Sequence, residues 1–265
     1  MVELSLFEKL FACGFVRKTL IVFAIALLWQ IYALWLDNPL MFPTFIDSVK
    51  GFYSVMISGE LIVKTIASLK MLLTAYAFGI VIALVLTVLA IGSRIGSDIL
   101  EVTSSMFNPL APIALLPLAM LWFGIGKASI IFVIVHAVVW AMALNTYNGF
   151  SSVSSTLRMV GKNYELGRLG FVFYILIPAA LGSIVTGLKV SWAFGWRTLI
   201  AAELVFGVSS EGGGLGWFIN EKKNQLDIDL VFAGLLMVII IGIAVENIIF
   251  KTIEKKTVVK WGMKF

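Results

Sequence analysis

The chain alternates long apolar segments with short polar ones, and this pattern predicts its secondary structure. Crossing a hydrocarbon core of about 30 Å takes about 20 apolar helical residues, and six segments meet this requirement. Charge-free runs of this length, without the alternation of membrane strands, favour helices over a β-barrel. We therefore expect an all-α membrane protein with six transmembrane helices. The segments are 19–36, 71–93, 102–126, 128–157, 169–188 and 230–250, and only the last contains a charged residue, Glu246.

Composition excludes other broad classes of protein. The 265 residues are 60% hydrophobic and 13% charged, with a mean hydropathy of +1.02, whereas soluble domains are about 25% charged. Intrinsic disorder requires low hydrophobicity, and a single cysteine, Cys13, excludes a disulfide framework. The first segment follows Arg17 and Lys18 but has no small-residue cleavage site, so we interpret it as an uncleaved span and not as a signal peptide.

The positions of lysine and arginine predict the orientation of the chain in the membrane. If the N-terminus is cytoplasmic, the inner segments carry twelve of these residues and the outer segments five. Both termini are therefore expected in the cytoplasm. Segments 37–68 and 207–229 then face outward, and 149–169 is the largest internal cytoplasmic loop. The basic tail at 251–265 is typical of attraction to the anionic inner membrane surface.

The cytoplasmic loop at residues 151–170 is polar but shows helical periodicity. Leu157, Val160 and Tyr164 are separated by three and four residues, which predicts a short amphipathic helix. Such a helix either lies in the lipid headgroup layer or docks into a groove on another protein. Periodicity alone favours the membrane surface.

Sequence motifs lie on both sides of this loop. They are Asn108-Pro109, Pro112, Pro117 and 121–126 before it, and Ile175-Leu176-Ile177-Pro178, Ala179-Ala180-Leu181, Thr186-Gly187-Leu188 and Trp196 with Ala201-Ala202-Glu203-Leu204 after it. With these motifs the chain resembles the permeases of ATP-binding-cassette (ABC) importers of the nitrate, sulfonate and taurine group, over about residues 61–250. Counting back from Pro178, Met159-Val160-Gly161 stands where that group has Glu-Ala-Ala, and Glu165 stands where it has glycine. The loop therefore departs from the family pattern.

The resemblance implies a type I ABC importer permease fold. The chain would be one transmembrane permease domain over 1–265, with a cytoplasmic segment at 1–18, a core at about 61–250 and the basic tail. The loop between the fourth and fifth spans would be a coupling helix that docks into a cleft of a separate ATP-hydrolysing subunit. This favours docking over the lipid surface. The coupling residues are expected to be Arg158, Met159, Val160, Gly161, Lys162, Asn163, Tyr164, Glu165, Leu166 and Gly167.

The side chains in this loop suit a docking surface. Met159, Val160 and Tyr164 are apolar enough to fill a cleft, with a polar rim around them. The two glycines have two interpretations, because each either ends the helix or allows close approach of a partner. The rim residues are Arg158, Lys162, Glu165 and Arg168, and the glycines are Gly161 and Gly167.

The resemblance also implies a larger assembly in the bacterial inner membrane. Its parts would be a homodimer, or a heterodimer with a homologous permease, two ATP-binding subunits at the cytoplasmic face and a periplasmic substrate-binding protein. ATP and Mg²⁺ would be bound by the ATPase subunits, because the closest match to a P-loop, Gly126-Lys127-Ala128, lacks the upstream glycine and the hydroxyl. We expect this chain to hold no cofactor or metal, to bind no nucleic acid and not to be an enzyme by itself.

The outer segment 207–229 has two features that permit more than one interpretation. Gly212-Gly213-Gly214 is interpreted as a flexible turn. Several polar or aromatic residues follow, and each either contacts the binding protein or is plainly solvated. These residues are Glu211, Trp217, Glu221, Lys222 and Lys223.

Ionisable residues within spans are costly and are therefore candidates for the translocation path. Arg197 and Glu203 either line a gate or form a structural ion pair. If a straight span begins near Phe173, Lys189 lies about 24 Å along it, in the outer half or at the interface, where it can snorkel. Trp192, Trp196, Leu199 and Glu203 share one helix face. The path or gate candidates are Trp192, Trp196, Arg197, Glu203, Lys189, Pro109 and Pro112.

Two further residue types bear on the path. Pro109, Pro112 and Pro117 exclude a straight third span, and the break is either a packing kink or a gate. The single histidine, His136, is interpreted as a buried, hydrogen-bonded residue and not as a metal ligand. Basic Lys189 and Arg197 suit an anionic substrate, as does the family.

Two other classes of protein remain as alternatives. An ion-gradient-driven secondary transporter is the main one, although no inverted pair of broken segments stands in corresponding halves. An intramembrane serine hydrolase would use Ser209 with His136, but Ser210 replaces the second glycine of a nucleophile elbow.

Overall fold

The computed structural model describes residues 14–206 and 213–259, and every regular element in these ranges is a helix. The predicted all-α class is confirmed for this part of the chain. Predictions that concern Cys13, Ser209, Ser210, Glu211, Gly212 and the side chain of Arg168 lie outside what the structure describes. The helices are α1 (Gly14–Leu36), α2 (Phe45–Ile57), α3 (Glu60–Gly92), α4 (Arg94–Phe107), α5 (Leu116–Phe123), α6 (Lys127–Ser151), α7 (Ser155–Asn163), α8 (Leu169–Ala179), α9 (Leu181–Phe206), α10 (Leu215–Gln225) and α11 (Ile228–Val258).

Four helices in the described ranges, α1, α3, α6 and α11, are long and apolar enough to cross a membrane. Two bent pairs raise this number to six if each pair counts as one span: α5 with its preceding turn lies at 86° to α4, and α9 at 79° to α8. The expectation of one uninterrupted helix was therefore wrong for segment 169–188. The first break contains Pro109, and Pro112 begins a 3₁₀ turn, so the prediction that these prolines exclude a straight helix is confirmed.

The second break changes the position of Lys189. A wide π-helical turn, Val172–Leu176, precedes Pro178, which has no N–H for a regular helical ladder. The chain therefore turns before α9 begins. Lys189 lies eight residues, or about 12 Å, from the start of α9, and not about 24 Å along a straight span. The distance along a straight span was therefore wrong, because α8 runs across the direction of α9.

The core forms where α3 and α9 pack on opposite sides of α6. Val133, Ile134 and Val138 of α6 are completely buried there. Small residues allow the helix backbones to come close: a methyl group on Gly79 of α3 would lie 2.6 Å from Val138, and one on Gly195 of α9 would lie 3.2 Å from it. The result is a closely packed three-helix centre, with α7 at one end and α10 at the other.

Candidate functional site

The loop helix α7 confirms the predicted short amphipathic helix. Ser154 caps it by accepting a hydrogen bond from the N–H of Leu157. The helix ends in a left-handed residue, Glu165, with φ of 50°. The N–H of Glu165 donates to Lys162 and the N–H of Leu166 donates to Gly161, at 3.0 and 3.2 Å, which is a Schellman ending. Gly167 therefore lies beyond the end of the helix.

This ending explains why a glycine suits position 165. Replacing Glu165 with glycine is expected to stabilise the C-terminal end of α7 by about 1 kcal/mol, because glycine adopts a positive φ without a Cβ clash. Slower amide hydrogen exchange of α7 in the purified protein would measure this gain. Alanine at the same position keeps the Cβ and should bring no gain. Faster exchange in the glycine variant would contradict the prediction.

Arg158, which was predicted for the polar rim of the docking surface, makes hydrogen bonds within its own chain. Its guanidinium donates hydrogen bonds to the carbonyl oxygens of Phe150, at 2.7 Å, and Val153, at 3.1 Å. These carbonyls lie at and just after the C-terminal end of α6, where the helix dipole favours a positive charge. Arg158 therefore fastens α7 to α6, a contact that the sequence did not predict.

Gly161 is a point of close approach, as one of its two interpretations proposed, but to α8 of the same chain. A methyl group at Gly161 would lie 2.6 Å from the ring of Phe171 and 3.3 Å from Ile175. Gly167 has no atom within 4 Å of such a methyl group. Only Gly161 is therefore required for packing.

The other side of α7 is exposed. Met159, Val160 and Tyr164 all lie at the surface, and Tyr164 is 76% accessible. Lys162 and Asn163 are also exposed, whereas Leu166 is half-buried. The helix thus turns Gly161 and Arg158 towards its own chain and presents an uncovered apolar surface on its other side.

At the opposite end of the bundle, Glu203 is 2% exposed and holds the first turn of α10. Ser68 Oγ lies 2.8 Å from each carboxylate oxygen and donates its hydrogen there, and the N–H of Gly216 donates to Oε2 at 2.8 Å. Ser68 Oγ accepts from the N–H of Leu215 at 2.7 Å. A carboxylate at a helix N-terminus is favourable because unpaired N–H groups converge there.

This network corrects the ion pair considered for Arg197 and Glu203. Glu203 faces α3 and α10, whereas the exposed Arg197 lies with its guanidinium carbon 5.6 Å from the ring centroid of Phe194. Sequence reasoning also missed Ser68. The only signal was a hydroxyl within the apolar pattern of α3, and such residues commonly bond their own helix backbone.

The glycines before α10 serve packing. Gly213 has a φ of +65°, and a methyl group on Gly214 would overlap the Glu203 carboxylate and the Ser68 hydroxyl. The sequence predicted a turn here but did not indicate that Gly214 packs against Glu203 and Ser68.

Two ion pairs add to the attachment of α10 to α3. Lys64 lies 4.0 Å from Glu221, and Lys222 lies 3.8 Å from Glu60. Glu221 and Lys222 are thus partly buried partners of α3. Of the other residues considered for this outer surface, Lys223 is exposed and Trp217 is half-buried.

The predicted face of α9 exists but is turned into the subunit. Trp192, Trp196 and Leu199 are all less than 10% exposed and belong to the core between α3 and α6. The ring of Trp192 meets Tyr76 edge to face at 5.5 Å. Only the margins of the two tryptophans reach an open groove, so their main role in the subunit is packing.

Lys189 forms an ion pair that the sequence did not indicate. Its Nζ lies 2.8 Å from Oε1 of Glu246 on α11, and both side chains are about half exposed. The ammonium group of Lys189 is therefore held by a carboxylate of the same chain, and the structure does not show it extending to an interface. This ion pair joins Glu246, the charged residue of the last predicted span, to Lys189, the first charged residue of α9.

His136 packs edge to face against both Phe107 and Trp140, with centroid distances of 6.4 and 6.2 Å. Neither ring nitrogen has a hydrogen-bond partner within the described part of the chain, so the predicted hydrogen bond is absent there. Among the same residues, no three His, Cys, Asp or Glu side chains converge as a metal site would require.

Comparisons with known proteins extend this picture. A family model described as binding-protein-dependent transport system inner membrane component matches residues 75–258. The chain is 28% identical to the taurine transport system permease protein TauC of Escherichia coli over 227 residues, which covers 82% of this chain and 80% of that protein. It is 27% identical to the putative aliphatic sulfonates transport permease protein SsuC of Bacillus subtilis over 249 residues, with coverage of 94% and 88%.

A third relative has a different substrate in its name. The nitrate import permease protein NrtB of Synechocystis is 29% identical over 187 residues, which covers 71% of this chain and 66% of that protein. The family match begins within α3, extends to the end of α11, and includes α7 and Glu203 but not Ser68. The chain therefore belongs to the family of binding-protein-dependent transport system inner membrane components, the multi-pass permeases of ABC importers.

Proposed function

We propose that this chain lines the translocation path of an ABC importer for a small organic or inorganic anion, such as a sulfonate, taurine or nitrate. The family match over residues 75–258 carries this proposal, and the names of three relatives supply the substrate class. Because the family consists of importer permeases, the secondary transporter is not retained as an alternative.

The assembly is proposed to contain two permease chains, either two copies of this chain or this chain with a homologue. Each supplies one permease domain with six spans, a core at about residues 61–250 and both termini in the cytoplasm. Two chains then surround a central path with twelve helices related by a two-fold axis. The straight helices α1, α3, α6 and α11 and the two bent pairs support this count.

We propose that α7 is the coupling helix and docks on a separate ATP-binding subunit, which binds ATP and Mg²⁺. The uncovered apolar surface of Met159, Val160 and Tyr164 supports this role. Arg158 and Gly161 fasten the helix to α6 and α8, so a movement of the ATPase subunit would be passed on to the bent pair of α8 and α9. A periplasmic binding protein is proposed to contact the end of the bundle that carries α10.

Co-purification tests the assembly. The tagged chain, expressed with the genes that neighbour its own, is expected to bring down a nucleotide-binding subunit in stoichiometric amount. The ATPase activity of that complex should rise when a soluble periplasmic protein and its anion are added. A stable complex without any ATPase subunit would contradict the proposal.

A charge placed on the apolar surface of α7 should prevent docking. Replacing Val160 with aspartate is expected to lower the amount of co-purified ATPase subunit at least tenfold, because the carboxylate would be desolvated in an apolar cleft. Ser152→Asp puts the same charge at an exposed position before α7 begins and should leave binding unchanged. Equal binding by both variants would show that this surface is not the docking site.

A further inference from the structure

A groove between α9 and α11 brings together three charged residues, two from α9 and one from α11. It has a volume of about 250 Å³, which equals about eight water molecules at about 30 Å³ each. Its polar lining contains Lys189, Arg197 and Glu246, and its walls include the margins of Trp192 and Trp196. None of these three charged residues takes part in the α7 attachment or in the Glu203 network.

These charges lie deep within long apolar helices. Lys189 is about 12 Å from the start of α9, and Glu246 is about 27 Å from the start of α11, whose 31 residues span about 46 Å. Their side chains are 47% and 59% exposed in the single subunit. Charged groups at bilayer depth are costly when they face lipid. This side of the subunit therefore faces water or another protein.

The balance of charge in the groove distinguishes these two environments. Lys189 and Glu246 neutralise one another at 2.8 Å, and Arg197 leaves an excess of one positive charge. In a two-fold contact the same patch meets its own copy, so a dry interface would bring two uncompensated arginines together. In a water-filled cavity the same excess attracts anions. The charges therefore favour a wet cavity.

We propose that the groove is a water-filled section of the path in which Arg197 and Lys189 bind the anion in succession. The two residues are eight positions apart on α9, a rise of about 12 Å. Glu246 holds Lys189 while no anion is present, and an arriving oxyanion replaces the carboxylate as the partner of the ammonium group. Glu246 thereby keeps Lys189 from remaining unpaired. The inference rests on the proposed import of an anion.

Cysteine labelling tests this without knowledge of the natural substrate. Ala193 lines the groove between the two cations, and Cys13→Ser leaves a chain without cysteine. In membranes that contain the assembled protein, Ala193→Cys is treated with a sulfonatoethyl methanethiosulfonate, which is anionic, and with its cationic trimethylammonium analogue. Leu28→Cys on α1, a helix with an almost wholly exposed surface, is the lipid-facing control.

We expect both reagents to modify position 193 but not position 28. After correction for the reactivity of free thiols, the anionic reagent should be preferred by roughly tenfold at position 193. Lys189→Gln and Arg197→Gln should each lower this preference at least threefold, and Glu246→Gln should raise it. A rise in one variant and a fall in the others is not a result that misfolding produces.

Two results would overturn the inference. If position 193 is as unreactive as position 28, the groove faces lipid or dry protein. If it reacts without preference for the anion, or if the preference survives both Gln variants, the cavity is wet but does not bind anions. Labelling requires neither ATP nor substrate and reports on the groove alone, so its failure is distinct from a failure of the co-purification experiment.

Discussion

Replacing Gly161 with valine is expected to lower uptake by the assembled importer at least tenfold while ATP hydrolysis continues. The valine side chain would clash with Phe171, because a Cβ atom at position 161 would lie only 2.6 Å from that ring. Overpacking of this kind costs about 1–3 kcal/mol and is relieved when elements move apart. The contact between α7 and α8 would be lost, and with it the mechanical link to α9. Uptake and ATPase activity measured in the same proteoliposomes provide the test.

Two variants make this prediction specific. Gly167→Ala changes a glycine in the same loop that has no neighbour within 4 Å, and its uptake should stay within about twofold of the original protein. Phe171→Ala added to Gly161→Val removes the obstructing ring and should restore part of the uptake. Full activity of Gly161→Val alone would mean that contact between α7 and α8 does not transmit movement.

Replacing Glu203 with leucine is expected to destabilise the protein by about 3–5 kcal/mol and to abolish transport. The carboxylate accepts hydrogen bonds from Ser68 and from the N–H of Gly216, and all of these groups are buried. Each donor left without an acceptor costs about 1–3 kcal/mol. The first turn of α10 would separate from α3 and α9. Thermal unfolding of the purified complex and uptake measurements provide the test.

An ion pair that also attaches α10 to α3 supplies the control. Glu221 lies 4.0 Å from Lys64 and is one-third exposed, so Glu221→Gln should cost less than about 1 kcal/mol. A Glu203→Leu variant with an unchanged melting temperature would contradict the prediction, because it would mean that Ser68 and Gly216 find other partners at no cost.

Hydropathy predicted the four long helices, and proline positions predicted one of the two breaks. Long apolar runs predicted α1, α3, α6 and α11, because a chain in lipid must satisfy its backbone hydrogen bonds locally. Pro109 and Pro112 predicted the first break because proline lacks an N–H. The second break was missed at Pro178, where the apolar pattern continues without interruption. Periodicity predicted α7 because a short amphipathic helix depends mainly on its own residues.

The pairing of charged and polar residues was not predictable from the same patterns. Lys189 forms an ion pair with Glu246, 57 positions later, and Glu203 accepts a hydrogen bond from Ser68, 135 positions earlier. Arg158 is a charged residue of the kind expected at the rim of a docking surface, yet it donates a hydrogen bond to a carbonyl at the end of α6. Each partner is decided by which helices lie side by side, and local sequence carries no information about that arrangement.

The sequence by itself therefore determined that the chain is a helical membrane protein, where most helices lie and which family it resembles. Only the tertiary structure decided which face each helix buries. The pattern of Trp192, Trp196 and Leu199 is equally apolar whether it lines a path or packs in a core, and contact with α3 and α6 places it in the core. Hydrophobic spacing depends on one helix, whereas burial depends on the neighbour that covers it.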